Sequence, residues 1–185
     1  MQSFQFKCPT EIIFGRGAEE KVGEKIKAYG GTHVYIVYGG GSVIRSGLLA
    51  RVERTLTESG IAFDVRGGVQ PNPLVSHARE GVREALRFGA DFILAIGGGS
   101  VIDTAKAIAH GVANPETDIW DFWCGRETLT RSTPVAAVLT LAAAGSETSD
   151  SAVLTNEETG VKGGINTPFN RPALFLKKTV LNSRD

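Results

Sequence analysis

A surplus of basic charge is the first thing this sequence lacks: Lys plus Arg and Asp plus Glu number 20 each, for a formal net charge of zero. With no bulk positive field to draw a polyanion, nucleic-acid binding and docking on an anionic membrane are demoted. Cysteine is scarce as well. Cys8 and Cys124 lie far apart and beside no second Cys or closely spaced His, so they make neither a zinc spacing nor a disulfide framework, and both are expected to be reduced, structural thiols. Long apolar runs are also missing. MQSFQFKCPTEIIF has no uninterrupted apolar stretch behind a basic start, and no later segment approaches the length of a membrane span, which predicts a cytoplasmic protein. What is present is an ordinary globular composition, 42% hydrophobic and 22% charged over 185 residues, with Gly enriched at 23. That length suits one domain with a real core.

The pattern along the chain alternates. Ala18 to Tyr29 puts Val22, Ile26 and Tyr29 on one helical stripe, ended by Gly30-Gly31; HVYIVY, His33 to Tyr38, is β-branched and aromatic without clean alternation, as for a strand covered on both faces. Leu48, Leu49, Val52 and Leu56 recur at helical spacing, Ile61 to Val65 forms the next strand, and Val75 to Phe88 the next helix. Phe92 to Ile96 and Val101 to Val112 repeat the strand and helix, Pro134 to Leu139 is a further buried strand, and Ser151 to Thr155 with Lys162 to Asn166 make a hairpin across NEETG. This rhythm predicts an α/β fold, a doubly wound, mostly parallel Rossmann-like sheet with helices on both faces.

Two GGGS segments, Gly39-Gly40-Gly41-Ser42 and Gly97-Gly98-Gly99-Ser100, fall where a strand hands over to a helix. In such sheets ligands sit at the carboxyl ends of the strands, and a helix start offers unpaired N–H groups and a positive dipole end to a phosphate that glycine lets come close. A single GGGS is more often a tight turn; two at equivalent places, on one sheet edge with QPNP (Gln70 to Pro73) and the loop from Thr140 to Ser149, favour a dinucleotide. Neither completes GxGxxG, because Ile44 and Ile102 occupy the last glycine position. Asp103 is expected in the first turn of its helix, where a carboxylate stabilises the dipole by roughly 0.3–1 kcal/mol, or else hydrogen-bonded to a cofactor amide or hydroxyl. His33, His77 and His110 have no partner at metal-ligand spacing and read as surface or packing residues.

The sequence resembles the iron-containing alcohol dehydrogenase family. TEIIFGRGA (Thr10 to Ala18), YGGGS (Tyr38 to Ser42), QPNP, GGGSVIDTAKAIA (Gly97 to Ala109), TLAAAGSETS (Thr140 to Ser149) and AVLTNEETGVK (Ala152 to Lys162) follow the family's order over nearly the whole chain. YGGGS and the WDFW-like segment, Trp120 to Trp123, are most similar to its butanol dehydrogenase and broad aldehyde reductase branch.

The resemblance implies a dinucleotide-binding domain over 1–175, an off-pattern tail over 176–185, and, in a complete enzyme, a following all-helical metal-binding domain that these residues stop short of. It implies that Gly97, Gly98, Gly99 and Ser100 hold the pyrophosphate, that Asp103 and Lys162 lie near the nicotinamide, and that Asn72, Thr140, Leu141 and Ser149 line the groove. Ala144 stands where many members have Thr. Members using NAD often carry an acidic residue at the position of Gly39, which would repel a 2′-phosphate. Gly39, followed by Gly40 and Gly41, removes that repulsion, and Ser42 with Arg45 supplies a hydroxyl and a cation, so NADP is expected in preference to NAD.

The implied activity is hydride transfer between NADP(H) and a primary alcohol or aldehyde, with Fe2+ or Zn2+ acting only in a complete enzyme, because its ligands belong to the helical domain. This chain by itself is expected to bind cofactor without turnover and, with cleft surface uncovered, to associate as a homo-oligomer. Two alternatives remain: a non-catalytic nucleotide-binding or assembly module, and a glycerol dehydrogenase or dehydroquinate synthase relative.

Overall fold

Alternation of side chains about the strands decides how this chain is layered. The structure, a computed structural model, describes residues 8–177. In chain order it contains β1 (Glu11–Phe14), a 3-10 turn (Ala18–Lys21), α1 (Val22–Ala28), β2 (His33–Tyr38), α2 (Ser42–Arg45), α3 (Leu48–Glu58), β3 (Ala62–Arg66) and α4 (Val75–Phe88). It continues with β4 (Phe92–Gly97), α5 (Gly99–Ala113), α6 (Ile119–Trp123), β5 (Val135–Leu139), β6 (Ser151–Asn156), β7 (Val161–Asn166), a second 3-10 turn (Pro168–Asn170) and β8 (Leu174–Lys177).

A six-stranded sheet in the order β1-β8-β5-β4-β2-β3 is parallel throughout, and β6 and β7 pair as a separate antiparallel hairpin. Val34, Ile36, Leu94, Ile96, Ala136 and Val138 face α1 and α3, where Val22, Ile26, Val52 and Leu56 meet them. Their alternates, Tyr35, Val37, Ile93, Ala95, Val135 and Ala137, face α4 and α5. Two-sided burial is why the central strands read as continuous apolar runs, and each such Val, Ile or Leu side chain contributes roughly 1.5–3 kcal/mol. The doubly wound α/β sheet with helices on both faces is therefore what forms. A third cluster seats α6 against α4 and β6 through Ile119, Trp120, Phe122, Ala152 and Leu154.

Several elements depart from expectation. The segment from Ala18 is not one helix: a 3-10 turn precedes α1, after Gly17 in the left-handed region at φ 69°. β1 and β8 add two strands of four residues each, with β8 lying between β1 and β5. β8 reaches Lys177, so it takes in the first two residues of the segment 176–185; the rest of that segment, with Lys178 and Thr179, lies outside the described residues, as does the N-terminal MQSFQFK. Among the described residues, no helix is long and apolar enough to cross a membrane.

Candidate cofactor site

Strand register brings the glycine segments together. Tyr38 pairs with Ile96 and Gly97 with Leu139, so the chain leaving β2, β4 and β5 emerges side by side at one sheet edge. Crossing hydrogen bonds fix these loops: Gly68 N–H donates to Gly39 O at 2.9 Å, Val69 N–H to Tyr38 O at 3.3 Å, and Thr140 N–H to Gly97 O at 3.0 Å. Val101 lies beneath both glycine segments. A Cβ placed on Gly97 would come within 2.5 Å of its Cγ2, and one placed on Gly39 within 3.4 Å. At Gly98 and Gly40, by contrast, a Cβ would meet nothing within 4 Å. Bare backbone beneath open space is the arrangement a phosphate requires.

The second segment leads into a full helix. α5 runs 15 residues from its N-cap Gly98, with no side chain capping it, and both Val101 N–H and Ile102 N–H turn back to Gly98 O at 3.0 and 3.1 Å. The leading N–H groups of such a helix have no intrahelical partner and carry the positive end of its dipole. Over this start arches the loop after β5, whose Ala144 Cβ lies 3.1 Å from a Cβ built on Gly99. Ser100 is half-buried, and its carbonyl accepts from Thr104 Oγ1 at 2.9 Å. The first segment leads only into α2, a single turn of four residues stopped at Gly47, φ 68°. Ser42 and Arg45 are exposed there, and the Arg45 guanidinium folds back so that Nη1 is 2.8 Å from a Cβ built on Gly41.

Asp103 corrects an expectation. It is not in the first turn of its helix, which holds no acidic residue, because α5 already begins at Gly99. Its carboxylate instead accepts from Ser146 Oγ at 2.5 Å and from Val153 N–H at 3.1 Å, with Lys106 Nζ at 3.9 Å. Burial pushes its pKa up from the ordinary aspartate value, opposed by the Ser146 hydrogen bond and the Lys106 charge. Loop and hairpin thus hang on this carboxylate. Sequence reasoning missed Ser146 and Lys106, although Lys106 stands three residues after Asp103 and so on the same helix face.

The hairpin carries the remaining residues. Thr155 N–H donates to Pro73 O at 2.8 Å, Ser76 Oγ to Glu157, and Lys162 Nζ to Asn72 Oδ1 at 2.8 Å, so QPNP and β7 are joined. Asn72 holds φ 56°, a left-handed conformation that Asn tolerates better than most residues. Thr140 and Leu141 are exposed, Leu141 at 68%, while Ser149 Oγ accepts from Ser151 N–H at 2.9 Å.

A metal does not fit the donors described. Among the described residues, no group of three or more His, Cys, Asp and Glu could hold one. His110 is buried, bonded to Ser132 Oγ and Asn170 Oδ1 at 2.8 Å each, and desolvation pushes its pKa down to about 4. His77 accepts from Arg66 Nε at 3.3 Å, burial lowering its pKa, and His33 is exposed with Nδ1 3.0 Å from Thr32 Oγ1. Both cysteines are free thiols, but Cys124 is exposed beside Arg126 rather than packed, against the structural role expected of it.

Comparison with known proteins places the chain in a family. A family model described as iron-containing alcohol dehydrogenase matches residues 9–178. A protein named NADH-dependent butanol dehydrogenase A from Clostridium acetobutylicum is 42% identical over 172 residues, which cover 93% of this chain and 44% of that protein. The NADPH-dependent aldehyde reductase YqhD of Escherichia coli is 36% identical over 95% of this chain and 45% of its own length. A crystal structure of an NADH-dependent butanol dehydrogenase A from Thermotoga maritima superposes with a TM-score of 0.93 at 40% identity, covering 96% of this chain and 44% of that one. The chain spans less than half the length of these relatives. On its sequence and its sheet alike, it belongs to the iron-containing alcohol dehydrogenase family.

Proposed function

We propose that this chain is the dinucleotide-binding domain, assigned to 1–175 with 176–185 as a tail, of an iron-dependent alcohol dehydrogenase or aldehyde reductase using NADP(H). The observation that carries this is the cradle itself: Gly98 bare at the uncapped start of α5, with Gly40 equally open on the neighbouring loop. The backbone N–H groups of Gly99 and Ser100 and the helix dipole would hold the pyrophosphate, and Thr140, Leu141 and Ser149 would line the groove. Gly97, packed on Val101, sets the floor of that cradle.

When bound, the nicotinamide accepts or donates the hydride exchanged with a primary alcohol or aldehyde. The chain's own residues place it. Asp103 retains lone pairs for the carboxamide N–H beyond those taken by Ser146 and Val153. The joined Lys162 and Asn72 would stand at the nicotinamide end, and the exposed Leu141 would cover ring surface and exclude water. An Fe2+ or Zn2+ of the complete enzyme finds no ligand set among the described residues, so this chain alone would bind without turnover.

NADP is favoured over NAD by what surrounds the first loop. A Cβ at Gly39 would meet only Val101 and the Val69 carbonyl within 4 Å, so among the described residues no carboxylate lies that near to repel a 2′-phosphate, and Arg45 stands over Gly41. The relatives' names divide between NADH and NADPH, so the domain's own preference has to be measured. Titration calorimetry of the chain is expected to give NADPH at least about tenfold tighter than NADH, some 1.4 kcal/mol; NADH binding equally or more tightly overturns the cofactor assignment. Exposed Ile12 and Phe14 on the edge strand β1 support association into a homo-oligomer, which light scattering would read. The zero net charge keeps nucleic acid and membranes out of the proposal, and two free cysteines support a cytoplasmic setting.

A further inference from the structure

A lysine that touches no solvent stands at the root of the exposed loop after β5. Lys106 is wholly buried on α5, and its ammonium donates to Ser146 Oγ at 3.0 Å, Ser149 O at 3.3 Å and Ser151 O at 2.7 Å. Those acceptors use all three of its protons, which is what a buried ammonium demands. Ser146 passes the connection on, donating to Asp103, whose other oxygen takes Val153 N–H. Residues 141–145 just before this knot are exposed, and Ala144 rests against Gly99. One anchor of fully satisfied polar groups therefore fixes the loop on one side while its tip lies over the open cradle.

We infer that Lys106 is a positioning residue: by gripping Ser146, Ser149 and Ser151 it holds the 140–149 loop arched over the glycine cradle, and it orients Asp103 through Ser146. The inference rests on the dinucleotide reading of the cradle, but the loop can be observed without cofactor. Burial lowers the Lys106 pKa from 10.5 to about 8, against the attraction of Asp103, Asp150 and Glu147 and with the repulsion of Arg171. An opened loop would return the amine to water and to its ordinary pKa, so the closed loop binds fewer protons in that range. Rising pH thus favours closure between about 8 and 10.5, the reverse of simple loss of a charged donor.

Hydrogen exchange of the cofactor-free full chain tests this, with protection scaled to an unstructured peptide of the same sequence. Lys106→Met is expected to lower protection of residues 146–151 about tenfold while β4 and the C-terminal half of α5 keep theirs, with Lys106→Arg in between. Unchanged protection, or loss spread over the whole sheet, overturns it. Should Lys106→Met not fold, Ser146→Ala, which removes one of the three acceptors, is read instead: protection of 146–151 must fall several-fold while β4 keeps its own, and an unchanged profile refutes the role. NADPH affinity is then measured on the same proteins, and a roughly tenfold weakening in Lys106→Met is expected. If the exchange results hold and the wild type binds neither NADPH nor NADH, the anchor stands and the cofactor reading falls.

Discussion

Two identical hexapeptides, GGGSVI at 39–44 and at 97–102, leave adjacent parallel strands and come to different ends. After the first, Arg45-Ser46-Gly47 stops the helix within one turn, with Gly47 left-handed at φ 68°. After the second, Asp103-Thr104-Ala105-Lys106-Ala107 continues into 15 residues of α5, as its alanine content favours. The valines sort to opposite faces of the sheet, Val43 into the layer of α1 and α3, Val101 into that of α4 and α5. Ile44 is 54% exposed and Ile102 fully buried. Same local chemistry, different flanks: the second loop presents a sustained helix dipole to an anion, whereas the first offers open glycine backbone and one arginine. The account therefore gives the pyrophosphate to the second loop and cofactor selectivity to the first.

The comparison is broken most forcefully at Gly98. Its backbone is extended, φ −97°, and a side chain there meets nothing, so Gly98→Asp should fold normally while placing a carboxylate where the proposed pyrophosphate would sit. NADPH and NADH should both weaken about 100-fold or more, roughly 3 kcal/mol, with the melting temperature little changed. Gly97→Ala probes the same loop from beneath. The Cβ would stand 2.5 Å from Val101 Cγ2, and the expected result in denaturant unfolding is a loss of roughly 1–3 kcal/mol of stability.

The first loop should respond selectively. Gly39→Asp has room, with nearest neighbours at 3.4 Å, and should weaken NADPH about tenfold while NADH changes by less than about threefold, measured by fluorescence titration. Arg45→Ala should be smaller still, about threefold to fivefold on NADPH, fading as salt is raised because the guanidinium is exposed. Equal losses for both cofactors in either variant would erase the division of labour between the loops.

How far the sequence carried can be read from the same pair. Long elements with a sustained period, α3, α4, α5 and the buried strands β2, β4 and β5, were legible, and so was the hairpin from turn residues between two apolar runs. β1 and β8 were not, because four residues give too little pattern, alternating in β1 and buried over three in a row in β8, and their pairing to each other and to β5 is set by partners far along the chain. α6 was hidden for a similar reason: IWDFW is apolar nearly throughout, its start marked only by Asp118, whose carboxylate accepts from Trp120 N–H at 3.0 Å. Of the candidate site, the glycines and their common edge followed from motif and topology. The role of Asp103 did not, since it depends on Ser146 and Val153, 43 and 50 residues away.

The central claim, that a bare glycine at the head of α5 is a phosphate cradle, is tested most directly by one set of calorimetric titrations: NADPH into the wild-type chain and into Gly98→Asp, both verified as folded by circular dichroism. The account predicts a saturable isotherm for the wild type that is lost in Gly98→Asp. An isotherm unchanged by the aspartate, or no NADPH binding to the folded wild-type chain, would contradict it.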